Sequence, residues 1–417
     1  MVPVQEVTTA GGIRAFLVTE RAVPFLSLGF HFRGGARLDP PDGEGLAAFA
    51  GAVIDEGAGP YDSQAFRREL EDNVIRLGFD VDRTGFSGHL KTLTATRDHA
   101  FELLRLALCE ARLDEEPVER VRAQLQAELA RRAKEPNAQA RRHFFKGMFG
   151  DHPYGRSIRG TPETVAGFGA DEVRRYVTEN LRRDDLVVGV CGDIDAATLA
   201  PLLDHVFGSL PSGSVWSREQ DVPLAGPGLA IVEMDNPQTV AMFGHGGIAR
   251  HDPEYHAAYI ANHILAGGGF SSRLMEEVRE KRGLAYGVSA SLVELEGAPL
   301  WVGQVATSND RVAQSLEIIA EEAGKLARGM LESPELEDAR TYLTGSFPLR
   351  LTSNDQVAGM LTGMLMLGLG ADFLKRRNQL IEAVTLADVQ AAAARLLHPE
   401  AMRVVAVGRP QGLVATG

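Results

Sequence analysis

The property of this sequence that most limits what it can become is that one pattern is written twice at a nearly constant spacing. "AFLVTERAVPFLSLGF" at 15–30 has a counterpart in "AIVEMDNPQTVAMFG" at 230–244: a short apolar strand, a polar turn holding Pro, and a second strand running into Gly. "EEPVERVRAQL" at 115–125 pairs with "ESPELEDARTYL" at 332–343, where a Pro in the first turn opens an amphipathic helix. "GFGADEVRRYVTENLRRDDLVVGVCGD" at 167–193 pairs with "AVTLADVQAAAARLLHPEAMRVVAVGR" at 383–409, each a capped helix, a polar turn and a β-branched strand closing on Gly. The starting positions differ by 215, 217 and 216 residues. An offset that holds along the whole chain is the mark of duplication.

Each half then reads as two leading strands, helices, a long amphipathic helix, another helix and a closing strand. That order predicts an α+β fold in two copies, each a largely antiparallel sheet with helices packed on it. The length of 417 residues accommodates this, since domains run to about 100–200 residues. The join is expected at "LPSGSVWSREQDVPLAGPG", which is rich in Gly and Pro near its ends and shows no periodicity. The expected division is 1–210, a linker at 211–228, and 229–417.

One short stretch poses a question of its own. In "GEGLAAFAGAVIDEG", residues 43–57, no polar side chain occurs from Leu46 to Ile54, and Asp55, Glu56 and Gly57 then close the run as a helix end would. Ala48, Gly51 and Ala52 stand at i, i+3 and i+4, so one face of this helix carries almost no side chain. A buried helix ordinarily fills such a face with Leu, Ile or Phe.

Known chemical motifs are mostly excluded. Among eleven histidines there is no HExxH or HxxEH; His251 and His256 point in different directions on a helix, and His256 and His263 lie about two turns apart. There is no GxSxG, and Cys109 and Cys191 sit in apolar surroundings that suit buried free thiols. The "GGGF" at 267–270 is followed by Arg273 and not by the GK[ST] of a phosphate loop, and reads as a turn between helices. A net charge of −13 and pI near 5.4 argue against nucleic acid and anionic membrane as partners. No run of 18 apolar residues predicts a membrane span. The strand-like opening has no apolar signal core, which fits a cytoplasmic chain or, as the preferred expectation, a periplasmic one whose signal peptide has been removed.

The segment "LAGGGFSSRLMEEVREKRGLAYGVSASLVE" at 265–294 stands out. A Gly-rich turn leads into a helix capped by Ser271 or Ser272 and ended at Gly283, with a strand beginning near Tyr286. Arg279, Lys281 and Arg282 complement the negative end of the helix dipole, and Tyr286 suits an edge strand; a chemical role for Arg279 and Tyr286 is the other reading.

Taken with the duplication, this segment resembles the pitrilysin/insulinase family of metallopeptidases, in its bacterial two-half members similar to the subunits of mitochondrial processing peptidase. The resemblance spans residues 5–410. Active members of that family carry HxxEH within a segment like GLAHxxEH, two His binding zinc and the Glu activating water. Here "GLAAFAGA" places Ala48 and Ala52 at the His positions and Gly51 at the Glu position, so the bare face reads as a vacated zinc site. Glu128 lies at the spacing of the family's third ligand, roughly 75 residues farther on, as a relic or as a solvated helix residue. "REKRGLAY" supplies Arg279 and Tyr286 at the family's spacing for an Arg and a Tyr that reach the scissile bond. The resemblance therefore implies no cofactor in this chain and zinc in a homologous HxxEH-bearing partner subunit. It implies an unfolded peptide as substrate, with Arg279, Tyr286 and the loop Gly267, Gly268, Gly269 and Phe270 turned toward it. The alternative it leaves is a purely structural subunit, as in the core proteins of the cytochrome bc complex.

Overall fold

The computed structural model describes residues 3–217 and 221–416. Eleven strands form two sheets: β1 Gln5–Thr8, β2 Arg14–Thr19, β3 Phe25–Arg33, β4 Arg76–Val81, β5 Gly85–Leu93 and β6 Leu186–Gly192 in the first, β7 Gly228–Glu233, β8 Gln238–Gly246, β9 Ala285–Val293, β10 Leu300–Ser308 and β11 Arg403–Gly408 in the second. The first sheet is ordered β1-β2-β6-β3-β5-β4 and the second β7-β11-β8-β10-β9. Apart from β1 the two orders are the same. In each, the closing strand returns parallel to the first strand of the leading pair, β6 beside β2 and β11 beside β7, and every other pairing is antiparallel. The duplicated α+β fold read from the sequence is thus the fold observed.

The paired segments become equivalent elements. Helices Glu115–Arg132 and Ser333–Gly345 carry their Pro in the first turn. Helices Ala170–Asn180 and Leu386–Leu396 are capped, the first by Glu172, which accepts from the Gly169 N–H at 3.0 Å, the second by a reciprocal Thr385 and Asp388 box. Of the expected linker, residues 218–220 lie outside the described residues, and its flanks at 211–217 and 221–227 hold no helix or strand.

The chain forms two compact units, and each draws on both halves of the sequence. One gathers the residues up to Ala130, Ser157–Ser217 and Phe347–Lys375; the other gathers Arg131–Arg156, the stretch up to Ser346, and the residues from Arg376 onward. Helix Asn354–Met366, from the second half, lies on the first sheet, and helix Pro136–Phe149, from the first half, lies on the second. The units therefore differ from the contiguous division at 1–210 and 229–417. The starting positions of helices Pro136–Phe149 and Asn354–Met366 differ by 218, close to the offsets of the other pairs, so the two helices are themselves a duplicated pair.

Glycines in the sheets admit these helices. Gly29 of β3 and Gly189 of β6 face each other in register. A Cβ on Gly29 would fall 2.9 Å from Thr362 Oγ1, and one on Gly189 would fall 2.4 Å from the Ala358 carbonyl oxygen. The helix backbone thus rests directly on the sheet, and Thr362 Oγ1 donates to the Gly29 carbonyl at 3.1 Å. In the second unit Gly244 of β8 is the equivalent, with Phe144 of helix Pro136–Phe149 3.1 Å from where its Cβ would be. Covered on both faces, β6 is buried at every residue, which explains its unbroken apolar run LVVGVCG.

Candidate functional site

Two regions hold the candidate residues, one in each unit. In the first, helix Leu46–Val53 begins after Gly45, whose φ of 95° is left-handed and whose absent side chain leaves room for Gly160. The buried Asp39 carboxylate accepts the Gly45 and Ala47 N–H groups at 2.7 and 2.8 Å, meeting donors at the helix start that have no partner within the helix. The helix stops where Asp55, Glu56 and Gly57 predict, with Gly57 at φ 111°.

Ala48 and Ala52 are half-buried, and Gly51 is buried. A Cβ at Gly51 would meet Val81 and Phe86 side chains at 3.4 and 3.5 Å and Phe79 at 3.8 Å, ordinary contact distances. Glu128 is half-buried and has Arg159 Nε 3.6 Å from its Oε1. A zinc centre of this kind needs three protein ligands. Two alanines and a glycine offer none, and the remaining carboxylate already faces a guanidinium, so these residues do not fit the metal. Among the described residues no group of three or more His, Cys, Asp or Glu side chains is placed to hold an ion. Both cysteines are unpaired, and burial pushes the Cys191 thiol up to about 12. Burial also lowers His256 to about 4, while His263 is buried and stacked on Tyr342.

Asp55, just past the helix, gives the first unit a pH dependence. Burial raises its carboxyl to about 6, with neighbouring Glu56 adding to the shift and the backbone and Arg67 opposing it. The folded value lies above the unfolded one, so this group's stabilising contribution is complete below about pH 4 and is lost as pH rises through about 6, a change of about 3 kcal/mol at most. Asp55→Asn is therefore expected to stabilise the protein at pH 7.5 relative to wild type and to gain little at pH 4. Urea midpoints of both proteins at the two pH values measure this, and an equal difference at both would contradict it.

In the second unit, the segment after helix Tyr255–Asn262 runs into wide helical turns on either side of the glycine loop. The Gly268 N–H reaches back five residues to the His263 carbonyl at 2.8 Å, and the Lys281 N–H to the Glu276 carbonyl at 2.9 Å. Such π-type turns are rare and concentrate at functional sites. Ser271 and Ser272 donate their hydroxyls backward, to the Gly268 and Gly269 carbonyls at 2.9 and 2.8 Å, and so brace the loop; the expected side-chain cap of the following helix is not formed. Gly269 has φ +60° with open space around it, and Gly283 ends the helix at φ +57° as expected. Arg273 is held by Glu335 at 2.6 and 2.7 Å and by the Met330 carbonyl, which takes it away from any phosphate-binding role.

These turns bring Arg279, Tyr286 and Phe270 together. The Arg279 guanidinium carbon lies 4.6 Å from the centre of the Phe270 ring and 4.7 Å from that of Tyr286. Its Nε is 3.3 Å from Glu280 Oε1. Phe270 is 68% exposed and Tyr286 85% exposed, values at which apolar burial does not account for either ring. Tyr286 is the second residue of β9, an edge strand, and among the described residues its hydroxyl has no hydrogen-bond partner. Spacing and loop composition pointed to each of these residues separately. The stack could not be read from spacing, because it depends on the wide turns.

Comparison with known proteins places the chain as a whole. Residues 16–162 match the family model described as Insulinase (Peptidase family M16), and residues 167–343 match the one described as Peptidase M16 inactive domain. The chain is 24% identical over 361 residues to the non-peptidase homolog YmxG of Helicobacter pylori, covering 86% of this chain and 83% of that protein. It is 25% identical over 401 residues to an uncharacterized zinc protease, YmxG, of Bacillus subtilis, covering 94% and 95%. Its fold matches the crystal structure of a peptidase M16 inactive domain from Pseudomonas fluorescens with a TM-score of 0.92 at 25% identity, over 99% of both chains. A chain of complex III2 from Candida albicans shares the fold alone, with a TM-score of 0.83 at 16% identity over 98% of this chain and 97% of that one.

Proposed function

Because the chain belongs to the M16 insulinase family of peptidases and lacks the HxxEH motif, we propose that it is the non-zinc subunit of a heterodimeric zinc peptidase. Its partner is a homologous subunit that carries HxxEH and the metal. The observation that carries the reading is the contrast between the two regions. Ala48, Gly51 and Ala52 have lost every ligand, while Arg279 and Tyr286 stay together and Tyr286 keeps an exposed hydroxyl with no partner among the described residues.

In this reading Arg279 and Tyr286 act on an unfolded peptide bound at the partner's site. Phenol and guanidinium donate to the carbonyl oxygen on which negative charge develops during hydrolysis, each donor contributing on the order of a few kcal/mol to the transition state. The loop from Gly267 to Phe270 lies next to them and borders the path of the peptide.

A test is to co-purify this chain with a homologous HxxEH-bearing subunit and to assay peptide hydrolysis by each chain alone and by the pair. Activity is expected only from the pair. A partner that is fully active alone and gains nothing on mixing would overturn the proposal and support the second reading, a structural subunit. That reading draws on the vacated ligand positions but gives no reason for the exposed Tyr286 ring to stand against Arg279.

A further inference from the structure

We propose that Phe270 is a positioning residue for Arg279, acting with Tyr286 as the two sides of a clamp. The inference rests on the functional reading above. It assigns to Phe270 a role other than contact with the substrate.

A free Arg side chain samples many rotamers, and fixing one costs side-chain entropy at the moment of binding. The observed stack removes much of that freedom beforehand. Ring centres lie 4.6 and 4.7 Å from the guanidinium carbon, within the range of cation–π attraction. The side chain of Arg279 is 26% exposed while both rings beside it are largely exposed, so the rings shield the cation and not the reverse. Guanidinium donors lie in its plane. Two rings beside the guanidinium carbon limit where those donors can turn, and Nε lies toward Glu280.

The loop explains how Phe270 reaches this place. Gly269 adopts a left-handed conformation that a side chain would strain, and the next residue is Phe270. The backward hydrogen bonds of Ser271 and Ser272 to Gly268 and Gly269 fix the turn that carries the ring. Leu and Met at 270 would cover similar area but lack the ring quadrupole that attracts the cation.

The experiment has one arm on the isolated chain and one on the assembled pair. In the first, Arg279 is labelled with phenylglyoxal and its rate of modification is followed by peptide mass mapping. Phe270→Ala should speed modification of Arg279 several-fold, Phe270→Leu should do the same, and Phe270→Tyr should restore the slow rate. Exposure of 68% makes unfolding by these changes an unexpected outcome, and circular dichroism checks it. Equal rates in all four proteins would overturn the clamp.

In the second arm, Phe270→Ala should lower kcat of the pair with less change in KM, Phe270→Tyr should recover it, and Phe270→Ala should cost nothing further once Arg279 is Ala. Losses that multiply in the double variant would show that Phe270 contacts substrate in its own right and would overturn the positioning role. If Arg279→Ala alone leaves the pair fully active, the functional reading fails, and the labelling rates still decide the clamp.

Discussion

Replacing Tyr286 by Phe is expected to lower kcat of the assembled heterodimer by about 10- to 1000-fold, the range for loss of one donor to a developing oxyanion, with a smaller change in KM. The structure makes this substitution informative. Phe keeps the ring 4.7 Å from the Arg279 guanidinium and removes only the hydroxyl, which has no other partner among the described residues. At 85% exposure the ring is not a core residue, so stability should hold. Arg279→Ala should cost a comparable factor in kcat and add some loss in KM, because Arg can also bind the peptide before reaction. Arg279→Lys should not rescue it, since an ammonium lacks both the planar donor edge and the stacking faces. The measurement is peptide hydrolysis by co-purified subunits with size-exclusion elution beside it. Full activity in both variants would favour the structural-subunit reading. Loss of activity together with dissociation would reassign the pair to assembly.

The second large effect concerns zinc. After extensive dialysis the wild-type chain should hold well under one zinc, and about one tightly bound ion per chain would refute the vacated-site assignment. The reverse variant Ala48→His, Gly51→Glu, Ala52→His supplies the missing motif. Ala48 and Ala52 are half-buried, so imidazoles there have an outlet toward solvent, and Gly51 has room for a Cβ before it meets Val81, Phe86 and Phe79. If Glu128 is the third ligand, this variant should bind zinc measurably. Adding Glu128→Ala should then weaken binding by more than the roughly 10- to 100-fold typical of losing an outer-shell partner. Adding Arg159→Ala should instead tighten it, because the guanidinium 3.6 Å from Glu128 competes with the metal for that carboxylate. Zinc affinity indifferent to Glu128 would remove it from the site.

Much of this was legible in the sequence, for a physical reason. Strand pairs, Pro-opened helices and capped helices are local patterns, and a repeat of local patterns at one offset carries the topology of one copy over to the other. The end of helix Leu46–Val53 was equally local, marked by Asp55, Glu56 and Gly57. Three features escaped. The exchange of helices Pro136–Phe149 and Asn354–Met366 is tertiary: the offset identifies them as copies but says nothing about which sheet each covers. The trace they left was Gly29, Gly189 and Gly244 in otherwise β-favouring strands, where another element approaches closely. Arg159 beside Glu128 joins residues 31 positions apart on different elements, beyond any periodicity. The Phe270 stack was hidden because residue 270 lies in a glycine turn ahead of the helix that carries Arg279, where no periodicity fixes the direction of its ring.

The exchanged helices also bear on how the molecule is made. While the N-terminal half emerges from the ribosome, β3 and β6 can pair, but the Gly29 and Gly189 surface has nothing to cover it until synthesis reaches Asn354–Met366, some 160 residues after β6. The first unit is thus completed only after helix Asn354–Met366 has been made, so one face of its sheet waits on a segment from the other half of the sequence. Evolution by recombination is constrained in the same way. A cut within 211–228 divides the polypeptide into its two ancestral copies, but each fragment would carry one helix belonging to the other's sheet, so neither copy can be exchanged for a foreign one without also matching the helix it lends.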